Sequence, residues 1–307
     1  MIDTHESMTA KLCQFARAYH STFERDKIFD DHLAFDLMGI DQYHEVGQLI
    51  ANDFEIDDYD PNAGFRASSV RHALNKYISP IPLSRIAFSE WEIKKFSQKH
   101  EKCQYVICGA GLDTFAFRNT DPGISIFEID HPDTQRYKLE RIKKLEWIIP
   151  ENVSYVPVDF SKDDMADKLI ENGFDKNIPT MFSIPGVTYY LTLNVFEDTV
   201  SKISSISPLE SRIVFDFPDE TTFSENVGSR VRTLSEITAK LGEPMLHGYV
   251  PSEVIVLLEK YGFLTDIHKT PQRIQQIFFD NRKDNQKAFE NIHFISAEKT
   301  MEVNNNG

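Results

Sequence analysis

The sequence predicts an α/β fold in which a doubly wound parallel sheet stands behind an N-terminal helical cap. Three observations carry this expectation. Apolar residues recur at three- and four-residue intervals through the first hundred positions. Beyond them, short strand-like runs alternate with helical stretches, the pattern of parallel strands joined by crossover helices. The runs are apolar without polar alternation, as strands buried on both faces are.

From about Thr9 to Gln98 the periodicity is helical, with Leu12, Phe15, Ala16, Tyr19 and Phe23 on one stripe and Val46, Leu49 and Ile50 on another. Residues 53–60 alternate acid with apolar but lack the Gly and terminal Glu of a calcium loop, so a solvated acidic connection is expected and no metal site. Strands are expected near 104–109, 124–130, 153–158, 179–184 and 211–217, with helices near 133–146, 162–172 and 194–206. Ile124-Ser-Ile-Phe-Glu-Ile-Asp130 and Ile213-Val-Phe-Asp-Phe217 are the plainest strands. After Pro218, residues 219–250 lose strand character and hold one helix, which reads as an insertion lying over a pocket. A helix at 252–261, stopped by Tyr261-Gly262, leads to a strand at 263–268, and a last strand is expected near 291–297. The resulting organisation is a cap over 1–100, a core over 101–299 and a disordered tail over 300–307.

A chain of 307 residues with 41% hydrophobic and 12% aromatic residues can bury a large core. Its net charge of −15 argues against nucleic acid, whose phosphates need clustered Lys and Arg, and against an anionic membrane surface. Three cysteines, Cys13, Cys103 and Cys108, make neither a disulfide framework nor a zinc spacing. The first thirty residues mix acids and bases with short apolar clusters instead of a central apolar block, so a cytoplasmic location is expected.

The most specific stretch is Tyr105-Val-Ile-Cys-Gly-Ala-Gly-Leu-Asp-Thr114, followed by Ile126-Phe-Glu-Ile-Asp-His-Pro132. Gly109 and Gly111 allow a tight turn and close approach of a ligand to the backbone. Asp130 falls about twenty residues beyond, where nucleotide-binding folds place the carboxylate that receives ribose hydroxyls. The third Gly of a dinucleotide fingerprint is absent, and a carboxylate at Asp113 would repel phosphates. A nucleoside carrying a sulfonium and an ammonium, as S-adenosylmethionine does, fits better. An NAD-linked oxidoreductase would explain the glycines and Asp130 but not Asp113 or Thr114.

The chain resembles the leucine carboxyl methyltransferase-like branch of class I S-adenosylmethionine-dependent methyltransferases, a branch that includes polyketide-type O-methyltransferases. The resemblance rests on Cys108-Gly-Ala-Gly-Leu-Asp-Thr-Phe-Ala-Phe-Arg118, Phe127-Glu-Ile-Asp-His-Pro-Asp-Thr-Gln135 with Lys138, Val156-Pro-Val-Asp-Phe160 and Gly186-Val-Thr-Tyr-Tyr-Leu191, and covers roughly residues 80 to 217. It implies a Rossmann-like sheet that ends in an antiparallel hairpin. It also implies S-adenosyl-L-methionine as cofactor, S-adenosyl-L-homocysteine as product, and O-methylation of a carboxylate or hydroxyl on a small molecule or peptide.

Laid on single positions, the resemblance puts Gly109 and Gly111 under the methionine moiety and Asp130 at the ribose, with Ala110 and His131 also among the cofactor-binding residues. Asp159 and the Phe160 backbone receive the adenine, Asp113 and Gly186 lie at the charged end, and Arg85 binds the cofactor carboxylate. Tyr189 and Tyr190 border the acceptor. Read alone, Asp159 equally suits a helix cap, Arg85 a surface pair, and one of the two tyrosines a core position. No catalytic residue is assigned: a carboxylate acceptor needs no base, whereas a hydroxyl would draw on His72, His131 or His247.

One departure stands out. The family usually shows Glu-Gly where this chain has Pro185-Gly186, so a carboxylate expected at the cofactor's charged end is missing. Asp113 or backbone carbonyls are the substitutes open to it. The alternative reading is a cofactor-binding or scaffolding protein that has lost turnover.

Overall fold

The computed structural model describes residues 7–53, 68–159 and 162–302. The acidic run expected at 53–60 and the end of the tail, from 303, fall outside these residues apart from Asp53.

Among the described residues the first helices are α1 (Met8–Phe23), α2 (Ala34–Met38), α3 (Ile40–Asp53) and α4 (Ser68–Ala73), the last running on as a π-helical turn over Leu74–Ile78. Ser7 starts α1 by accepting the Ala10 N–H at 3.1 Å, satisfying one of the donors that a helix N-terminus leaves free. The expected stripe of Leu12, Phe15, Ala16 and Tyr19 is buried, against Tyr43, Val46 and Ile50 of α3 and Leu74 of the π turn.

His20, in the last turn of α1, is 1% exposed, and its Nε2 accepts the Ile28 N–H at 2.8 Å. A helix C-terminus favours a charged imidazole by up to about 2 kcal/mol. Burial outweighs that and, with Arg282 nearby, lowers the His20 pKa to about 4. Stabilisation from keeping this ring neutral is therefore full above the unfolded value near 6.5 and is lost as pH falls toward 4. Between pH 7 and pH 5 the wild type should lose about 2 kcal/mol more than His20→Gln in urea unfolding. Equal losses would remove His20 as the acid-sensitive group.

α5 (Pro80–Lys99), which the sequence groups with the cap, lies against the sheet: Ile81, Phe88, Ile93 and Phe96 join Tyr105, Ile107, Ile126 and Met181 in one apolar cluster. The sheet has seven strands, β1 (Cys103–Cys108), β2 (Ile124–Asp130), β3 (Val153–Pro157), β4 (Thr180–Ile184), β5 (Arg212–Pro218), β6 (Phe263–Lys269) and β7 (Ile292–Lys299), in the order β3-β2-β1-β4-β5-β7-β6. β1 to β5 pair in parallel, while β7 runs antiparallel to both β5 and β6. β1 is buried along its whole length, because Val106 and Cys108 face one apolar cluster while Tyr105 and Ile107 face the other.

The crossover helices are α6 (Phe115–Arg118), α7 (Pro132–Lys144), α8 (Met165–Glu171) and α9 (Leu193–Ile206). α7 begins with Pro at its first position, where a missing N–H costs nothing. The helix expected from 162 starts at Met165, because Asp164 caps it by accepting the Ala166 and Asp167 N–H groups. Asp159 is thus not that helix's cap.

The insertion over 219–250 carries a 3-10 turn (Glu220–Phe223) and α10 (Ser229–Lys240), whose Ile237 packs into the cap cluster. α11 (Pro251–Lys260) then leads into β6. The expected terminal hairpin is antiparallel, but its connection is long and holds α12 (Pro271–Ile274) and a second π turn (Gln275–Phe279). No helix among the described residues is long and apolar enough to cross a membrane.

Candidate cofactor and acceptor site

The strand order reverses between β1 and β4, and a doubly wound sheet opens a crevice just past the strand ends at that point. A cavity of about 250 Å³ lies there. Its floor is made by the turns after β1 and β4, with Gly109, Gly111, Pro185 and Gly186, and by Asp130 at the end of β2. Its walls are Leu12 and Cys13 of α1, Ile81, Pro82 and Arg85 of α5, and Tyr189 and Tyr190. Its roof comes from the insertion, through Leu234, Ile237, Thr238 and Met245.

The floor is built on positive backbone angles. Gly109 has φ 71° and Gly186 has φ 72°, a region that strains residues with a Cβ. A Cβ on Gly109 would also sit 2.6 Å from Val187 Cγ2, and one on Gly186 would meet the Arg85 guanidinium at 2.3 Å. The Gly109 and Ala110 N–H groups both bond the Ile129 carbonyl, at 2.8 and 3.1 Å, which folds the turn back over the end of β2. Ala110 is buried behind the floor.

Asp130 accepts the Gly111 N–H at 2.5 Å and the His131 N–H at 2.7 Å. Burial raises its pKa, and those two N–H donors oppose the rise. Each carboxylate oxygen keeps a further lone pair for a ligand hydroxyl. Arg85 also lines the cavity. Its Nη2 lies 3.4 Å from Cys13 Sγ, its Nη1 lies 3.6 Å from Asp216 Oδ2, and its buried Nε has no partner among the described residues. A forked cation held at a cavity wall with unused donors suits an incoming carboxylate. An open glycine floor, with the Asp130 carboxylate and the Arg85 guanidinium both lining the cavity, fits a nucleoside that carries an amino acid.

Tyr189 is buried, and its hydroxyl donates to Asp216 Oδ2 at 2.7 Å. Burial, with the neighbouring Asp216 carboxylate, keeps its pKa well above 10. Tyr190 is partly buried, pairs with Thr9 Oγ1 at 3.3 Å, and is pushed up to about 12, chiefly by burial. Both rings are therefore neutral near pH 7, and both border the cavity.

Other expected residues sit elsewhere. Asp113 is not on the cavity wall: its Oδ1 accepts the Phe115 N–H at 2.6 Å, so it braces the start of α6 instead of facing a ligand's charged end. The exposed His131 is the N-cap of α7, with Nδ1 receiving the Asp133 N–H at 3.3 Å. Asp159 lies beyond the lining residues and pairs with Lys162. Phe160 falls outside the described residues.

Sequence reasoning missed three acids. Asp216, 2% exposed in β5, accepts the Gly186 N–H through Oδ1 at 2.7 Å besides its bond from Tyr189. Its signal was present, since an acid inside an apolar strand run is costly unless it is bonded. Glu243 of the insertion accepts the Met8 N–H at 2.6 Å and the Ser7 hydroxyl at 2.9 Å, with Thr9 as a third donor, and so clasps the roof to the start of α1. Asp31, wholly buried, pairs with Arg17 at 2.5 Å and receives the Thr114 hydroxyl. Arg17 reaches on to the Leu112 carbonyl at 3.0 Å, tying the cap to the loop that follows Gly111.

A reversing sheet that ends in an antiparallel strand, with this crevice at its switch point, is the arrangement that the class I methyltransferase resemblance implies. The chain belongs to the leucine carboxyl methyltransferase family, whose sequence model matches residues 10–204. It is 37% identical to YktD of Bacillus subtilis (strain 168), named as a provisional S-adenosyl-L-methionine-dependent methyltransferase, across 97% of this chain and all of that one. It is 30% identical to Rv0830 of Mycobacterium tuberculosis (strain ATCC 25618 / H37Rv), similarly named, across 63% of this chain and 66% of that one. A crystal structure of a DUF574 family protein from Streptomyces avermitilis shares the fold at a TM-score of 0.51 and 12% identity, across 83% of this chain and 97% of that one. The protein is an S-adenosyl-L-methionine-dependent methyltransferase.

Proposed function

We propose that this methyltransferase modifies oxygen, and that its acceptor is an ionised carboxylate on a small molecule or a peptide end. The observation that carries the reading is the cavity's lining: among the described residues it contains no histidine, and its tyrosines are held neutral. A hydroxyl acceptor needs a base within hydrogen-bond reach, whereas a carboxylate arrives deprotonated. His131 is committed to its helix cap, and neither His72 nor His247 lines the cavity.

In this reading Arg85 holds the cofactor carboxylate, Gly109, Ala110, Gly111 and Gly186 shape the floor beneath its amino-acid part, Asp130 takes the ribose, and Asp159 lies toward the adenine. When bound, the cofactor supplies a methyl group activated by its sulfonium. The chain supplies position: Tyr189 and Tyr190 border the acceptor, while Leu12, Ile81, Leu234 and Met245 keep water from the reacting oxygen. Alignment of this kind accounts for on the order of 7–11 kcal/mol of a barrier. The cap and the insertion shape the acceptor end and set its specificity. A cytoplasmic setting agrees with three unpaired cysteines, two of them buried.

The test uses methyl-labelled cofactor with a panel of aliphatic and aromatic carboxylic acids and phenols. The expected products are alkali-labile methyl esters that release methanol, with rates flat from about pH 6 to 8 because no group of pKa near 6.5 has to lose a proton. Alkali-stable ethers formed with a rising limb near neutrality would contradict the carboxylate reading.

A further inference from the structure

We infer that Asp216 is a positioning residue of the cofactor site, supplying from β5 the negative charge that the β4 turn lacks at Pro185. The inference rests on the assignment of this cavity to the cofactor. Asp216 has a wholly buried carboxylate, its side chain 1% exposed, at the carboxyl end of a central strand. Each of its oxygens has a defined task. Oδ1 receives the Gly186 N–H at 2.7 Å and fixes the turn whose positive φ leaves the floor open. Oδ2 receives the Tyr189 hydroxyl at 2.7 Å and faces Arg85 Nη1 at 3.6 Å.

That arrangement decides how Arg85 can act. Burial disfavours the guanidinium charge, but its neighbours, Asp216 among them, hold its pKa above the ordinary arginine value. At 3.6 Å the Arg85–Asp216 pair is aligned without being closed, which leaves the Arg85 donors for a ligand anion. Pro185 can offer the turn only its carbonyl, because it has no N–H and no charge. Position 185 sits beside position 216 on the neighbouring strand, since β4 and β5 pair in parallel with Ile184 opposite Phe215. The carboxylate beside this turn is therefore carried by β5, where Asp216 holds the Gly186 N–H and faces Arg85.

Asp216→Asn tests this, because the amide keeps the shape and can still accept the Gly186 N–H while removing the charge. Two ligands separate positioning from support of the fold: S-adenosylhomocysteine, which carries the amino acid that meets Arg85, and 5′-methylthioadenosine, which lacks it. Asp216→Asn should weaken the first by about tenfold or more and leave the second within about twofold, as expected when Arg85 loses the charge that orients it toward the ligand carboxylate. Equal affinities for S-adenosylhomocysteine in wild type and variant overturn the inference while leaving the cofactor site intact. Loss of both ligands together, or of the fold, makes Asp216 a general support of the sheet and also overturns it. If the wild type binds neither ligand, the cofactor assignment of the cavity fails first, and the inference with it.

Discussion

Asp130→Ala should lower affinity for S-adenosylhomocysteine by about a hundredfold, the equivalent of two hydrogen bonds to a charged acceptor. The reason lies in its two roles. Asp130 holds the glycine turn through the Gly111 N–H and the start of α7 through the His131 N–H, and it presents its remaining lone pairs to the cavity. Asp130→Asn separates the roles, since it can accept one of the two N–H groups but has no charge to offer a ribose. Calorimetry on both variants should rank them wild type, Asn, Ala. Unchanged affinity in Asp130→Ala would remove the residue from the site.

Asp31→Ala should cost about 3–5 kcal/mol of stability, the usual consequence of removing one partner from a buried ion pair. Asp31 and Arg17 have side chains 0% and 4% exposed, and Arg118 Nε lies 3.4 Å from the same carboxylate. Deletion leaves the buried Arg17 guanidinium without its carboxylate, while Arg118 keeps its pair with Glu90. Adding Arg17→Met should return part of the loss, because the uncompensated charge is then fewer by one. Since this pair joins α1 to the Leu112–Thr114 loop, we propose that cap and core unfold together, in one urea transition whose midpoint falls. A change below about 1 kcal/mol, or a cap that melts alone with the core intact, would refute the coupling.

The sheet was legible because its strands are buried on both faces, so apolar runs announce them without help from partners. β2 was expected over 124–130 and is found at Ile124–Asp130, and the strand expected near 179–184 is Thr180–Ile184. Helix starts were less readable where a capping acid decides them, as Asp164 does for α8. The segment between β6 and β7 was not read at all: α12 spans only Pro271–Ile274, and the turn after it is π-helical, so neither gives a sustained period of 3.6.

The glycines and Asp130, which the structure places along the cavity, were legible because a backbone that must turn tightly leaves marks in residue type. Asp113 shows where such reading stops. Spacing put a carboxylate near the turn, but it cannot say where the side chain points, and the Phe115 N–H claims it. Asp216 and Glu243 act across 30 and 235 residues of sequence, on Gly186 and Met8. Contacts of that range are set by the strand order and by the roof that the insertion forms, and no local pattern contains them.

The central claim, that this crevice is built for S-adenosyl-L-methionine, is tested most directly by calorimetric titration of the purified protein with S-adenosylhomocysteine, with NADH as the control. The account predicts micromolar, one-to-one binding of the first and none of the second. Binding of NADH alone, or of neither, would contradict it.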